Sequence, residues 1–168
     1  MQKLLGKKSF TIMELLVVIA ILGIVLATYP LTTNFNVQIA KGKDARRKTD
    51  LASLKHILED FYNDNNRYPL PSEVCYDSLS GSSNCHICGD HPASPGFVPY
   101  AGKLPCDPQS RAKEYRYLVS DPLNPTWYRI YTELSNKDDT SIAEVGCSSG
   151  CGPTNGYNYG ISSGNTGL

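Results

Sequence analysis

No charge of either sign predominates in this sequence: sixteen lysines and arginines face sixteen aspartates and glutamates. A chain so balanced has no electrostatic reason for strong nucleic-acid binding. Histidine is scarce. His56, His86 and His91 are the only three, and none stands at a spacing from a serine or carboxylate that builds a general base or an activated nucleophile. A Cys88/His91 nucleophile would need an unpaired thiol of depressed pKa, and nothing signals one. No catalytic constellation and no cofactor are therefore implied, which argues against an enzyme. Lysine and arginine are missing between Lys8 and Lys41, and across the 19 residues from Phe10 to Thr28 the single ionisable side chain is Glu14. An ordinary secretory signal is disfavoured as well: its apolar core is shorter and carries no acid, and Ala27-Thr28-Tyr29-Pro30 is a poor version of its small-residue cleavage site.

What is present is a long apolar run with a basic start. At about 1.5 Å per residue, a helix from Phe10 to Thr28 nearly crosses a bilayer core roughly 30 Å thick. Lys3, Lys7 and Lys8 precede it, and this one-sided charge predicts a cytoplasmic N-terminus with everything after Thr28 outside. Glu14 does not suit a mere anchor. An acid near the membrane interior costs at least a few kcal/mol and is by default functional, so it needs a named partner. A cut just before Phe10 would create an α-amino group four residues away, with a pKa near 8 and hence mostly charged. That amine, on the same chain or a neighbour, is the expected partner.

Ser9-Phe10-Thr11-Ile12-Met13-Glu14-Leu15-Leu16-Val17-Val18-Ile19-Ala20-Ile21-Leu22-Gly23-Ile24 resembles the signal of type IV pilins and type II secretion pseudopilins. The resemblance implies that prepilin peptidase cuts between Ser9 and Phe10 and N-methylates Phe10. Ser9 stands where glycine is usual in that family. The resemblance further implies that Glu14, as the fifth mature residue, takes part in methylation and in pairing with the N-terminal amine of an adjacent subunit. Removal of the leader would leave thirteen basic against sixteen acidic residues, a weakly acidic product.

Beyond Pro30, which kinks a helix rather than necessarily ending it, helical periodicity returns at Ala45, Leu51, Leu54, Ile57, Leu58, Phe61 and Tyr62. The opposite face is expected to carry Lys43, Asp44, Arg46, Arg47, Lys48, Asp50 and Lys55, with Arg46 and Asp50 as an i, i+4 pair. Such a run reads as a solvated face or an inter-subunit salt-bridge surface rather than a ligand site. Asn63 to Asn66 followed by Tyr68-Pro69 ends the helix, because asparagine tolerates the left-handed conformation and proline blocks continuation. The expected stalk is a helix of about 50 residues, roughly 80 Å if unbroken. Asp44-Ala45-Arg46-Arg47 and Tyr62 to Pro69 also resemble this region of pseudopilins and short pilins.

From Pro69 to Asp107 the chain has no clear period and reads as a long irregular loop. Loops of this length in compact domains are functional or tied down, and the ties here are Cys75, Cys85, Cys88 and Cys106, with Cys147 and Cys151 further on. Outside the membrane, six cysteines most simply form disulfides. Fifteen pairings are possible; the expectation is one bridge in or near the Cys75 to Cys106 loop and one tying down the C-terminal segment. The rival reading is zinc: Cys85-His86-Ile87-Cys88 has knuckle spacing, and Cys75, His91 and Cys106 could complete a set. The extracytoplasmic topology favours disulfides.

Glu114 to Val119 and Trp127 to Leu134 alternate as strands, and Asp121-Pro122-Leu123-Asn124-Pro125 turns between them, which predicts an antiparallel hairpin. Leu104-Pro105-Cys106-Asp107-Pro108 resembles the motif that precedes this hairpin in pseudopilins. Asn136-Lys137-Asp138-Asp139 lies where major pseudopilins can bind calcium, but it offers few oxygens and includes a lysine, so a solvated turn is expected. Gly146 to Leu168 reads as a surface strand with loops or a frayed tail. The expected fold is α+β and pilin-like, a long N-terminal helix on a small antiparallel sheet with disulfide-pinned loops. Its parts are a leader (1–9), a transmembrane half-helix (10–29), an amphipathic half (30–66) and a globular domain (67–168). The resemblance implies a filament subunit with no metal. Its partners would be copies of itself and other pilins, prepilin peptidase, an assembly platform protein with its ATPase, and membrane lipid before assembly. The subunit would wait as a single pass in the cell (inner) membrane and end in an extracytoplasmic filament. The alternative is a monomeric membrane-anchored binding module.

Overall fold

The computed structural model describes residues 10–28, 35–94, 96–110 and 112–168. The chain divides into two compact units, Met1–Asn36 and Val37–Leu168. In the first, α1 spans Ile12–Thr28. Thr11 starts it: its hydroxyl and its carbonyl both accept from the Glu14 N–H, at 3.2 and 3.1 Å, satisfying a donor that a helix start leaves orphaned. The large apolar side chains from Phe10 to Leu26 are all exposed, so α1 is apolar all round rather than striped. A helix of that kind belongs in a lipid or protein interior. Among the described residues no helix is long and apolar enough to cross a membrane. The joint between α1 and the next helix, at Tyr29 to Asn34, lies outside the described residues, and with it the expectation of one continuous stalk.

The helix α2 covers Phe35–Asn65. Its buried positions are Asp44, Arg47, Leu51, Leu54, Leu58 and Phe61, an unbroken 3-4-3-4-3 spacing that faces one side. Asn66 ends the helix with φ 54°, its N–H donating to the Tyr62 carbonyl at 2.8 Å, as the asparagine run predicts.

A four-stranded antiparallel sheet in the order β1-β2-β3-β4 faces this helix. Its strands are β1 (Asn84–Ile87), β2 (Tyr115–Val119), β3 (Tyr128–Thr132) and β4 (Tyr159–Ser162). The expected hairpin is β2–β3, with Tyr117 opposite Ile130 and Val119 opposite Tyr128. Alternation puts Cys85, Ile87, Tyr115, Tyr117, Val119, Tyr128 and Ile130 into one core with Leu51, Leu54, Leu58 and Phe61. Fully burying one such leucine stabilises by roughly 1.5–3 kcal/mol.

One element departs from the sequence reading, and one alternative is decided. The segment read as an irregular loop holds a short helix, α3 (Pro71–Val74), and the edge strand β1. Four residues of NCHI are too few to show a period, and β1 is specified by its pairing with β2. Of the two alternatives for the C-terminal segment, it is the strand with loops and not the frayed tail: β4 pairs along β3. A second small core forms from Leu134, Ile142 and Cys147 beside α4 (Thr140–Glu144), with Leu168 packed against it. Gly152 makes the close approach there. Its φ is +80°, and a Cβ would lie 2.8 Å from the Tyr157 ring, so a side chain is excluded on both counts.

Candidate functional site

Of the residues expected to mark processing, Ser9 lies outside the described residues, while Phe10 is 71 % exposed and Glu14 is exposed on the first turn of α1. The Glu14 backbone is consumed in the Thr11 cap, but its carboxylate has no partner among the described residues. An acid on an otherwise wholly apolar helix, with no cation of its own, is available to a cation supplied by a new N-terminus or by another chain.

The six cysteines form three bridges: Cys75–Cys85, Cys88–Cys106 and Cys147–Cys151. Two of them pin the loop from α3 to β2, one more than expected. The third does not tie the C-terminal segment to the body. It closes a local loop, and the segment is instead held by the pairing of β4 with β3 and by Leu168 packed on the small second core. Cys85, on β1, pairs with Cys75, and Cys88, just past the end of that strand, pairs with Cys106, so the two sulfurs enter different disulfides. The zinc reading of the CxxC thereby loses its thiolates. Among the described residues no group of three or more histidine, cysteine or acidic side chains is placed to hold a metal ion.

His86 sits on β1 directly opposite Arg116. Asp77 takes its backbone N–H and its Nδ1–H, both at 2.6 Å, and Arg116 Nη1 lies 2.9 Å from Nε2. Burial would raise the Asp77 pKa, but these His86 hydrogen bonds outweigh it and hold the carboxyl below its ordinary range. With both ring nitrogens engaged, His86 is a latch for the Cys75–Cys85 loop and not a free base. His91 stacks on Tyr76 with ring centroids 3.7 Å apart, and His56 is exposed on α2. Among the described residues no serine hydroxyl or thiol is hydrogen-bonded to any of the three rings.

The most elaborate polar site was not foreseen. Asp44 and Arg47, expected on the solvated face, are buried at 2 % and 0 % exposure. The Arg47 guanidinium grips Asp107 through two bonds, Nε to Oδ2 at 2.7 Å and Nη2 to Oδ1 at 2.9 Å. It also donates to Asp44 at 2.6 Å and to Gln109 at 2.9 Å. Asp44 in turn accepts the backbone N–H groups of Ser135 and Asn136, both at 2.8 Å. Burial by itself would lower the Arg47 pKa; the hydrogen bonds and charges of Asp107 and Asp44 carry it above its ordinary value. These bonds fasten α2 to the Leu104–Pro108 motif and to the loop after β3. The signal was in the sequence: the 3-4 register of the core leucines, run back from Leu51, lands on Arg47 and Asp44. Ala45, which belongs to no such register, is exposed.

The Asn136–Asp139 turn is likewise occupied by the protein's own cation. Lys48 Nζ lies 2.7 Å from both carboxylate oxygens of Asp139, which also caps α4 through the Ser141 N–H. Lys48 and the Ser141 hydrogen bonds hold the Asp139 pKa down to about 2.

A helix with a buried stripe, backed by a small antiparallel sheet and disulfide-pinned loops, is an α+β, pilin-like arrangement. Residues 5–28 match the family described as the prokaryotic N-terminal methylation motif. That motif is the signature of the prepilin-type signal of type IV pilins and pseudopilins, proteins whose role is structural. No curated protein and no solved structure matches the chain.

Proposed function

We propose that this chain is the precursor of a structural subunit of a type IV pilus or pseudopilus. The observation that carries the reading is the methylation motif at residues 5–28, whose helical part is a wholly exposed apolar helix with one unpartnered acid, Glu14. In this reading prepilin peptidase removes residues 1–9 and methylates Phe10. The segment 10–29 holds the subunit in the cell membrane as a single pass, N-terminus inside. An assembly ATPase and platform protein then move it into a filament, where α1 exchanges lipid for copies of itself and of other pilins. Heterologous contacts repeated without closure make such a filament. Glu14 pairs there with the α-amine of a neighbouring Phe10.

The test is intact mass and N-terminal sequencing of protein from its native membrane and from sheared cell-surface material. A chain beginning at methylated Phe10 and lighter by two hydrogens for each of three disulfides is expected. A chain that keeps its leader in both fractions would instead favour a membrane-anchored binding module.

A further inference from the structure

One flank of α2 is left uncovered by the sheet. Lys43, Arg46, Asp50, Ser53, Ile57, Asp60 and Asp64 fall on it at three- and four-residue steps, and none of them is buried. Its charges are segregated: the bases Lys43 and Arg46 stand in the N-terminal half, and Asp60 and Asp64 at the C-terminal end. That order works against the helix itself. The first turn of α2 has no acid and the last has no base, while Asp64 sits in that last turn, where the macrodipole disfavours a negative charge.

Nor do these charges satisfy one another within the chain. Arg46 is 68 % exposed and among the described residues pairs only with Asp50, at 3.8 Å, and Asp50 already accepts from the Tyr115 hydroxyl at 2.8 Å. Asp60 and Lys43 have no partner among the described residues, and Asp64 has only the Tyr100 hydroxyl, at 3.2 Å. From Arg46 to Asp60 is about 21 Å along the helix and to Asp64 about 27 Å, far beyond a screening length of roughly 8–10 Å. Beside the flank runs an open cleft of about 540 Å³, with Arg46, Ser53 and Ile57 on one wall and Lys103 and Leu104 on the other.

We infer that this flank is the contact for a second copy of the chain, docked parallel and staggered, with the Lys43/Arg46 end of one α2 against the Asp60/Asp64 end of the next. In-register parallel docking would set Arg46 against Arg46 and Asp60 against Asp60, and like charges oppose association. A stagger of some 21–27 Å relieves both clashes. It also leaves the pair with an unused acidic end on the first copy and an unused basic end on the second, so the contact is heterologous and propagates. An antiparallel pair would satisfy the same charges but closes as a dimer, and it conflicts with a common membrane orientation. The inference rests on the filament reading above.

The test uses the full chain in its native cell. Arg46→Glu and Asp60→Lys, each alone, are expected to cut sheared filament yield on the order of tenfold or more, since like charges are then opposed at every repeat. The double swap is expected to restore it. Separately, Arg46→Cys with Asp60→Cys, treated with a short bifunctional thiol reagent, is expected to yield a ladder of covalent multimers that neither single cysteine gives. Intact mass checks that the native bridges survive. Dimers alone would overturn the inference in favour of a closed pair. Normal filaments from both single charge variants, with no ladder, would overturn it while the subunit reading stands. A parent chain that never forms filaments would remove both.

Discussion

Arg47 and Asp107, sixty residues apart, meet as a two-bond ion pair whose side chains are both 0 % exposed. The pair joins the N-terminal half of α2 to the loop that leads into β2. Removing the cation would leave two buried acids facing each other. Arg47→Ala is expected to destabilise the domain by about 3–5 kcal/mol, read by guanidinium denaturation of the full chain in detergent with near-UV circular dichroism. A loss below about 1 kcal/mol would mean that water solvates the site, as it does for exposed pairs.

The bridges should differ in value according to the loops they close. Cys88 and Cys106 are 18 residues apart and Cys147 and Cys151 only four. Loop-closure entropy assigns about 3 kcal/mol to the first and about 2 kcal/mol to the second. Paired Cys→Ser replacement of each bridge is expected to lower the denaturation midpoint in that order. The reverse order would place the stabilisation in native contacts and not in the unfolded chain.

Acid should release the Lys48–Asp139 pair. The folded pKa of Asp139, about 2, is below its unfolded value near 3.9, so the contribution is complete above that value and is lost as pH falls towards about 2. Because the pair is partly exposed, its size is about 0.5–1 kcal/mol. Wild type and Lys48→Ala are expected to differ by this amount at neutral pH and to converge near pH 2. A gap that persists undiminished at pH 2 would point to packing of the lysine stem instead.

Alkali acts on the core tyrosines. Burial first, then the nearby Asp50 and Glu59 carboxylates for Tyr115 and Tyr128, push the phenols of Tyr115, Tyr117 and Tyr128 upwards. Their contribution is therefore intact below the ordinary tyrosine pKa near 10 and is lost as pH rises beyond it. In a spectrophotometric titration this group should ionise only together with unfolding. Tyr117→Phe, which strips the Pro69 carbonyl of its donor at 2.8 Å, is expected to cost about 1–2 kcal/mol.

Glu14→Ala separates the two functional readings. A filament subunit should accumulate in the membrane and disappear from the sheared fraction. Glu14→Asp, which keeps the charge on a shorter stem, should recover part of the yield. Unchanged behaviour of the alanine variant would favour an anchored module.

Much of this was legible from periodicity and turn chemistry. The β2–β3 hairpin followed from alternation on either side of a proline-rich turn, and the end of α2 from its asparagines. The buried stripe from Leu51 to Phe61 followed from helical spacing. Asp44 and Arg47 were misplaced because a charged side chain is read as solvated unless its partner is known, and Asp107 is not a neighbour in sequence. Strand β1 was hidden because four residues carry too little pattern, and its bonds are supplied by β2.

The sequence alone determined the apolar N-terminal segment with its lone acid, the methylation motif, the amphipathic helix and the central hairpin. Each of these is written in local spacing and composition. Tertiary structure alone decided which cysteines pair, that Lys48 fills the Asp139 turn, and that an Arg47 ion pair lies inside the core. Those outcomes depend on which distant groups the fold brings within bonding distance, and burial, by removing water, makes such contacts obligatory.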